Sequence, residues 1–296
     1  YPSTRGQEAS FVGIGHAMAK NDIFVPYYRD MGTLIQRGVS LEQILLYWGG
    51  DERGNCYTPD SRDFPPCVPV GSQPLHAVGA AYALKFRKEK NAVLVTCGDG
   101  ATSQGDFYEA LNAAGVWKLP LVFVVCNNQW AISVSRAAQT AAHTIAQKAI
   151  AAGFGGEQVD GNDVIAVQVR TAEALKNARE KNEPHLLELV CYRQHDHTTA
   201  DDASRYEPKH LREQEWKKEP IHRLRVYLES LGVWTESLEA SIQAEVVQTV
   251  DTAVKAYLDT PPQPLTSLFD YLYATLPKVY AEQRDGLLKR EKLAHG

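Results

Sequence analysis

Residues 93–133 read VLVTCGDGATSQGDFYEALNAAGVWKLPLVFVVCNNQWAIS. Val93 to Cys97 and Leu121 to Cys126 are short, almost wholly apolar runs, the pattern of strands buried on both faces rather than of strands with one wet side. Between them, Thr102 to Trp117 carries Phe107, Ala110, Leu111 and Ala114 at helical spacing. The stretch therefore reads as strand–helix–strand. A right-handed crossover sets the two strands side by side and parallel, so that their carboxyl ends meet at one edge of the sheet.

The same alternation continues downstream. A helical stretch through Ala141 to Ala152, a weak strand near Gln158-Val159, a helix from Val164 to Lys181 and a strand from Leu186 to Cys191 follow in order. Strands alternating with helices predict an α/β chain with a doubly wound, mostly parallel sheet. The character changes near Tyr206: His210 to Lys218 and Ile221 to Leu231 are charged helical segments running on to about Ala256, and Pro261-Pro262-Gln263-Pro264 breaks the pattern. A last amphipathic stretch from Leu265 carries Phe269, Tyr271, Leu272 and Leu276. We read residues 1–206 as one α/β domain and 207–296 as a helical C-terminal extension docked on that domain or on another subunit.

In such sheets ligands collect at the carboxyl ends of the strands. Two polar clusters lie there: Gly98-Asp99-Gly100-Ala101 after the first run and Asn127-Asn128 after the second, with 26 residues (101 through 126) between Gly100 and Asn127. A carboxylate, an amide oxygen and a backbone carbonyl form an oxygen-only set suited to Mg²⁺ completed by phosphate oxygens and water. Gly98 and Gly100 are expected to permit a turn and a close approach to phosphate, and the helix N-terminus beyond Thr102 favours anions. Alone, Gly-Asp-Gly is a common turn and Asn-Asn a common loop. Their joint placement after two buried strands is far more specific.

Composition narrows the function classes. Across 296 residues, 44% are hydrophobic and 23% charged, the balance of a folded domain, and the net charge of −5 comes without a basic stripe, which argues against nucleic acid. No apolar run reaches membrane-span length. Five cysteines (Cys56, Cys67, Cys97, Cys126, Cys191) lack paired spacing and suggest a reducing compartment. The start at Tyr1 suggests a processed or trimmed chain, so the bacterial cytoplasm is the expected compartment and the mitochondrial matrix stays open.

The run from Gly98 to Ser133 resembles the thiamine-diphosphate signature of the α subunit of the decarboxylating component of 2-oxo acid dehydrogenase complexes. GQEA at Gly6 to Ala9, Tyr28-Arg29 in PYYRDMG, PPCVPVGSQ at Pro65 to Gln73 and HDHTTADDASRY from His195 resemble further motifs of that family. The resemblance implies a thiamine-diphosphate-binding fold, with Asp99, the Asn128 side chain and the Trp130 backbone carbonyl as Mg²⁺ ligands. Gly100 and Ala101 would meet the diphosphate through backbone amides, Arg29 and Tyr28 would flank it, and Val68 and Val70 would face the aminopyrimidine. His197 would be the catalytic histidine of a mobile loop, with His195 in support and Thr198 where animal members carry a phosphorylated serine. One departure is Glu207, where the family commonly has Arg after the tyrosine, which leaves the loop's anchoring open.

The activity so implied is oxidative decarboxylation of a 2-oxo acid with acyl transfer to lipoyl groups on an acyltransferase core, by an α₂β₂ heterotetramer whose β subunit supplies the glutamate that activates the cofactor. PPCVPVGSQ and GDGATSQGDFYEALN put pyruvate first; NNQWAIS and ADDASRY keep a branched-chain 2-oxo acid second. A noncatalytic subunit of the same fold, or another Mg²⁺-phosphate enzyme on a doubly wound sheet, would satisfy the strand-end spacing equally.

Overall fold

The computed structural model describes residues 1–295, and the side chains of residues 1–290. Helix α1 (Glu8–Ala17) leads into the edge strand β1 (Ile23–Val25), and α2 (Met31–Gln36), α3 (Leu41–Trp48) and α4 (Gln73–Phe86) carry the chain to β2 (Val93–Gly98). Then come α5 (Gly105–Trp117), β3 (Leu121–Asn127), the antiparallel pair β4 (Trp130–Ala131) and β5 (Val134–Ser135), α6 (Arg136–Gln139), α7 (Lys148–Ala151), β6 (Gly155–Asp160), α8 (Val164–Lys181) and β7 (His185–Val190). Helices α9 (Lys209–Trp216), α10 (Pro220–Ser230), α11 (Glu236–Asp259), α12 (Ser267–Asp270) and α13 (Lys278–His295) follow.

The main sheet runs β1-β2-β3-β7-β6, and every pair in it is parallel. The step from β2 through α5 to β3 goes one way across the sheet, and the step from β6 through α8 to β7 goes the other. Right-handed crossovers in opposite directions put their helices on opposite faces. The core divides accordingly: Val93, Val95, Leu121 and Phe123 pack with Phe107 and Leu111 of α5, whereas Leu94, Val122, Val124 and Leu187 pack with Val167, Leu175 and Ala178 of α8. The doubly wound sheet inferred from the apolar runs is thus the observed one.

Two sheet edges are managed differently. At β1, the backbone amide of Phe24 donates to Asp63 Oδ1 (2.8 Å) and its carbonyl accepts from Phe64 N–H (2.9 Å), while Asp63 is clamped by Arg37 (2.8 and 2.9 Å). At β6, the outer edge, only Val159 is buried. That single apolar residue explains why the sequence shows only a weak strand there, although six residues pair with β7.

Two sequence expectations are corrected. The helix expected over Ala141 to Ala152 is confined to Lys148–Ala151. Arg136 takes the carbonyls of Ala142 (2.6 Å) and His143 (3.0 Å), and buried Glu188 takes the Ala146 amide (3.0 Å), so these groups are not left for a helical ladder. The stretch from Leu265 is not one amphipathic helix: α12 stops at Asp270, and Tyr271 and Leu272 are exposed. No element is assigned from the sequence before Val93, where the structure has α1 to α4 and β1.

α5 packs tightly where it passes α7: a Cβ at Gly115 would lie 2.0 Å from the Ala152 carbonyl oxygen. Ala in mid-helix ordinarily gains up to about 1 kcal/mol over Gly. Here the clash with backbone dominates, and Gly115→Ala is expected to lower stability by ~1–3 kcal/mol; a urea midpoint at or above wild type would contradict this packing.

Candidate active site

In the parallel ladder Gly98 sits opposite Cys126, so the segments leaving β2 and β3 emerge at the same level. The chain beyond Gly98 forms a 3₁₀ turn, Asp99–Ser103, braced by the Thr102 hydroxyl donating to the Asp99 carbonyl (2.8 Å) and by buried Lys148 donating to the Thr102 carbonyl (2.9 Å). Beyond β3 the two asparagines part company. Asn127 turns its amide into Glu188 (2.7 Å), while Asn128 donates to Gln7 (3.0 Å) and its Oδ1 accepts from the Trp130 backbone amide (3.1 Å).

These segments wall a cavity of about 470 Å³. Tyr28, Arg29, Val68, Val70, Asp99, Gly100, Ala101, Asn128, Trp130 and His197 all line it, so the structure brings together every residue that the family resemblance placed at the cofactor. His195 does not line it; the exposed side chain points elsewhere and only its carbonyl is used, by Arg193 Nε (3.1 Å). The glycines work differently from expectation. Neither Gly98 nor Gly100 has a positive φ; a Cβ at Gly100 would lie 2.7 Å from Ala131 Cβ, so Gly100 lets the β4–β5 pair close over the turn.

Asp99 is 1% exposed, and burial pushes its carboxyl above the usual range, with the Gln139 amide (2.7 Å on Oδ2) opposing the shift. Arg29 is equally buried: it donates to the Ser3 carbonyl and to the His197 carbonyl (3.1 Å), and among the described residues its Nε has no partner and no carboxylate lies within ion-pair distance. Among the described residues no group of three His, Cys, Asp or Glu gathers to hold a metal. A cation at Asp99 would therefore complete its shell with amide, carbonyl and ligand oxygens.

Sequence reasoning missed Arg193, which is also buried without a carboxylate and which donates to the Ile132 carbonyl (3.0 Å) and the Tyr206 hydroxyl (2.6 Å). Its proximity to His195 and His197 in CYRQHDH was the available signal. His197 Nδ1 lies 3.2 Å from Arg29 Nη2 and 3.4 Å from Arg193 Nη1. Guanidinium groups only donate, so Nδ1 accepts and the ring proton sits on Nε2. Burial first, then the two guanidiniums, push the imidazole down to about 4, with Asp201 partly opposing them. The loop resembles a mobile one in sequence, yet it is braced here: Asp201 Oδ2 accepts from the His197 amide (2.8 Å) and the Tyr206 hydroxyl, and Asp196 Oδ1 accepts from the Ala203 amide (2.9 Å).

The sequence pattern of the family described as Dehydrogenase E1 component matches residues 1–265. The chain belongs to that family. It is 40% identical over 293 residues to the Bacillus subtilis protein named pyruvate dehydrogenase E1 component subunit alpha, which covers 98% of this chain and 79% of the relative. Proteins of the same name from Staphylococcus aureus strain Mu50 and Staphylococcus epidermidis are each 40% identical over 294 residues, with the same coverage. Dehydrogenase E1 components of this kind are thiamine-diphosphate-dependent 2-oxo acid dehydrogenases, and this is the enzyme class of the chain. Gln7 of GQEA, Arg29 of PYYRDMG and Val70 of PPCVPVGSQ, which are distant in sequence, converge on one site around Asp99 and Asn128.

Two titrations follow. His197 is expected to stay neutral down to about pH 4–5 without cofactor, and an added diphosphate, being anionic, should raise its value; an NMR titration showing protonation near the ordinary 6.5 in the cofactor-free protein would contradict the clamp. Below Arg29, Asp30 accepts from the Tyr27 amide (2.8 Å) and pairs with the Thr96 hydroxyl, and burial pushes its carboxyl up to about 8. A folded value above the unfolded 3.8 means that the native state holds the extra proton, so stability is lost as pH rises from about 4 through about 8. Asp30→Asn lacks that loss. Its melting temperature relative to wild type should climb between about pH 4 and about pH 8 and level off above that, and a flat difference would show that Asp30 is ionised throughout.

Proposed function

We propose that this chain is the α subunit of a pyruvate dehydrogenase, in which it holds thiamine diphosphate and Mg²⁺ at the cavity below β2 and β3 and completes the site with a β subunit in an α₂β₂ heterotetramer. The observation that carries the cofactor assignment is Arg29: a fully buried guanidinium on the cavity wall, with an orphaned Nε and no carboxylate partner. Buried charges are normally paired, and a diphosphate is the anion that fits a planar donor fork. Asp99 supplies the complementary requirement. It is a buried carboxylate with no ion-pair partner among the described residues, which a divalent cation would satisfy.

In this reading Asp99, Asn128 Oδ1 and the Trp130 carbonyl ligate Mg²⁺, the Gly100 and Ala101 amides and Arg29 hold the diphosphate with Tyr28 beside them, and Val68 and Val70 lie along the aminopyrimidine. When bound, thiamine diphosphate supplies the nucleophilic carbon and the electron sink for decarboxylation. His197 supplies a neutral Nε2–H donor to a substrate carboxylate or to the incoming lipoyl group, and the two arginines that lower its basicity also keep that proton fixed at Nε2. Tyr28 and Trp130 exclude water around it.

The pyruvate names of the three relatives support pyruvate as the substrate, and nothing in them favours a branched-chain 2-oxo acid or a noncatalytic role. A lipoyl-bearing acyltransferase core is the natural acceptor. Val68 and Val70 are each 51% exposed at the cavity mouth, which supports a second chain covering the cofactor there. Residues 1–206 contain every proposed ligand and form the cofactor-binding domain; residues 207–296 form the helical extension, whose α11 returns to α3 where Tyr257 packs on Gly49. Five free cysteines, one of them exposed, and the bacterial relatives support the cytoplasm. Among the described residues no helix is long and apolar enough to cross a membrane.

Asp99→Ala in the co-expressed α/β assembly is expected to abolish Mg²⁺-dependent binding of thiamine diphosphate in titration calorimetry. Undiminished affinity would remove the metal assignment.

A further inference from the structure

Glu207, which departs from the family pattern, is 6% exposed and lies outside the cavity wall. Its two oxygens are divided between different elements. Oε1 accepts from the Tyr192 hydroxyl (2.6 Å), and Oε2 accepts from Arg212 Nε (2.9 Å) and Nη2 (2.5 Å) at the start of the helical extension. Tyr192 in turn accepts from the Trp130 indole N–H (3.1 Å). Indole to phenol to carboxylate is a one-directional hydrogen-bond chain. Donation by the phenol to a charged acceptor makes its oxygen a better acceptor for the indole, so the charge at position 207 is felt at Trp130.

We infer that Glu207 is a positioning residue for the cofactor site, fixing Trp130 through Tyr192 and the base of the His197 loop through Arg212. The inference rests on the proposed cofactor reading. Trp130 is where the relay meets that site: its carbonyl is a proposed cation ligand, its amide holds Asn128 Oδ1 (3.1 Å), and its ring lies 5.6 Å from that of Tyr206, the loop's last residue. The second branch reaches the loop from the other side. Arg212 comes within 3.9 Å of Asp196, the residue whose Oδ1 holds the Ala203 amide. A single buried carboxylate thus joins the β4–β5 pair, the segment after β7, the loop and α9. An arginine after Tyr206 could not accept from Tyr192 or pair with Arg212, so this chain anchors its loop with the charge signs that Arg212 requires.

The relay predicts coupling that a merely space-filling residue would not show. Outer-shell partners of metal ligands typically contribute about 10- to 100-fold in metal affinity. In the co-expressed α/β assembly, Glu207→Gln and Tyr192→Phe, both close in shape to the native residues, are each expected to weaken Mg²⁺-dependent thiamine diphosphate binding by about tenfold in calorimetry. The double variant should bind no more weakly than the weaker single, and the melting temperature of the cofactor-free assembly should stay near wild type. Additive losses, an unchanged affinity in either single variant, or a fall in melting temperature with affinity intact would each overturn the relay. Wild type and Asp99→Ala run in parallel separate the two claims: binding by the first and not the second upholds the cofactor reading whatever the relay variants do, and a wild-type assembly that binds no thiamine diphosphate removes both.

Discussion

The parallel register of β2 on β3 is the constraint on which the site depends. With Gly98 opposite Cys126, the first polar residues beyond each strand, Asp99 and Asn127-Asn128, leave the sheet together, and Trp130 follows within the reach of one short β4–β5 pair. A slip of one residue would turn every side chain of β3 to the other face. Asn127 would then point at the cavity and Asn128 at Glu188, which is buried and needs the Asn127 amide (2.7 Å). The pairing of Glu188 with Asn127 and the Ala146 amide therefore guards the register from inside the sheet, in a position where an unpaired carboxylate is costly.

The electrostatics of the cavity follow from burying two guanidiniums without anions. Arg29 and Arg193 spend their donors largely on backbone carbonyls and a hydroxyl, which satisfy most of their hydrogen bonding, Arg29 Nε excepted, and pair neither charge with a carboxylate among the described residues. Such a wall is strained toward accepting an anion, and it also explains why His197 is held neutral: an imidazolium would be the third cation in one place. The same field acts in the opposite sense on Asp99, but burial outweighs Arg193 there and the carboxyl is raised. An incoming cation and an incoming diphosphate would each relieve one side of this arrangement, so their binding is expected to be mutually reinforcing.

The central unit was legible because its information is local. Apolar runs buried on both faces, helical spacing between them and polar residues at both strand ends are all contained within residues 93–128, and Asp99 and the Asn127-Asn128 pair could be named from that alone, with the choice of Asn128 coming from the resemblance. What could not be read was carried by long-range contacts. Gln7 meets Asn128 across 121 positions, and Arg29 meets His197 across 168; without the family resemblance Tyr28-Arg29 would have read as a solvated loop pair. Val68 and Val70 contribute position more than side-chain chemistry, and Gln139, which bonds Asp99, sits in a short helix without any distinguishing pattern. Glu207 was visible only as a departure, because the meaning of a buried acid lies in its partners, Tyr192 and Arg212.

The distribution of acids supports the proposal that this chain supplies half of a site. Asp99 is the only carboxylate lining the cavity among the described residues, and if it holds a divalent cation it cannot also serve as a proton acceptor at neutral pH. Asp30 lies behind Arg29 with its carboxyl raised to about 8 and its Oδ2 taking both the Tyr27 amide and the Thr96 hydroxyl, and it does not line the cavity. His197 is neutral, but its accepting nitrogen is occupied by two guanidiniums and the other carries the proton. Asp99, Asp30 and His197 are thus each engaged in holding a charge or a fold. In the proposed reading the bound cofactor needs a base for its activation, and the open, valine-lined side of the cavity would be the route by which another subunit's carboxylate enters.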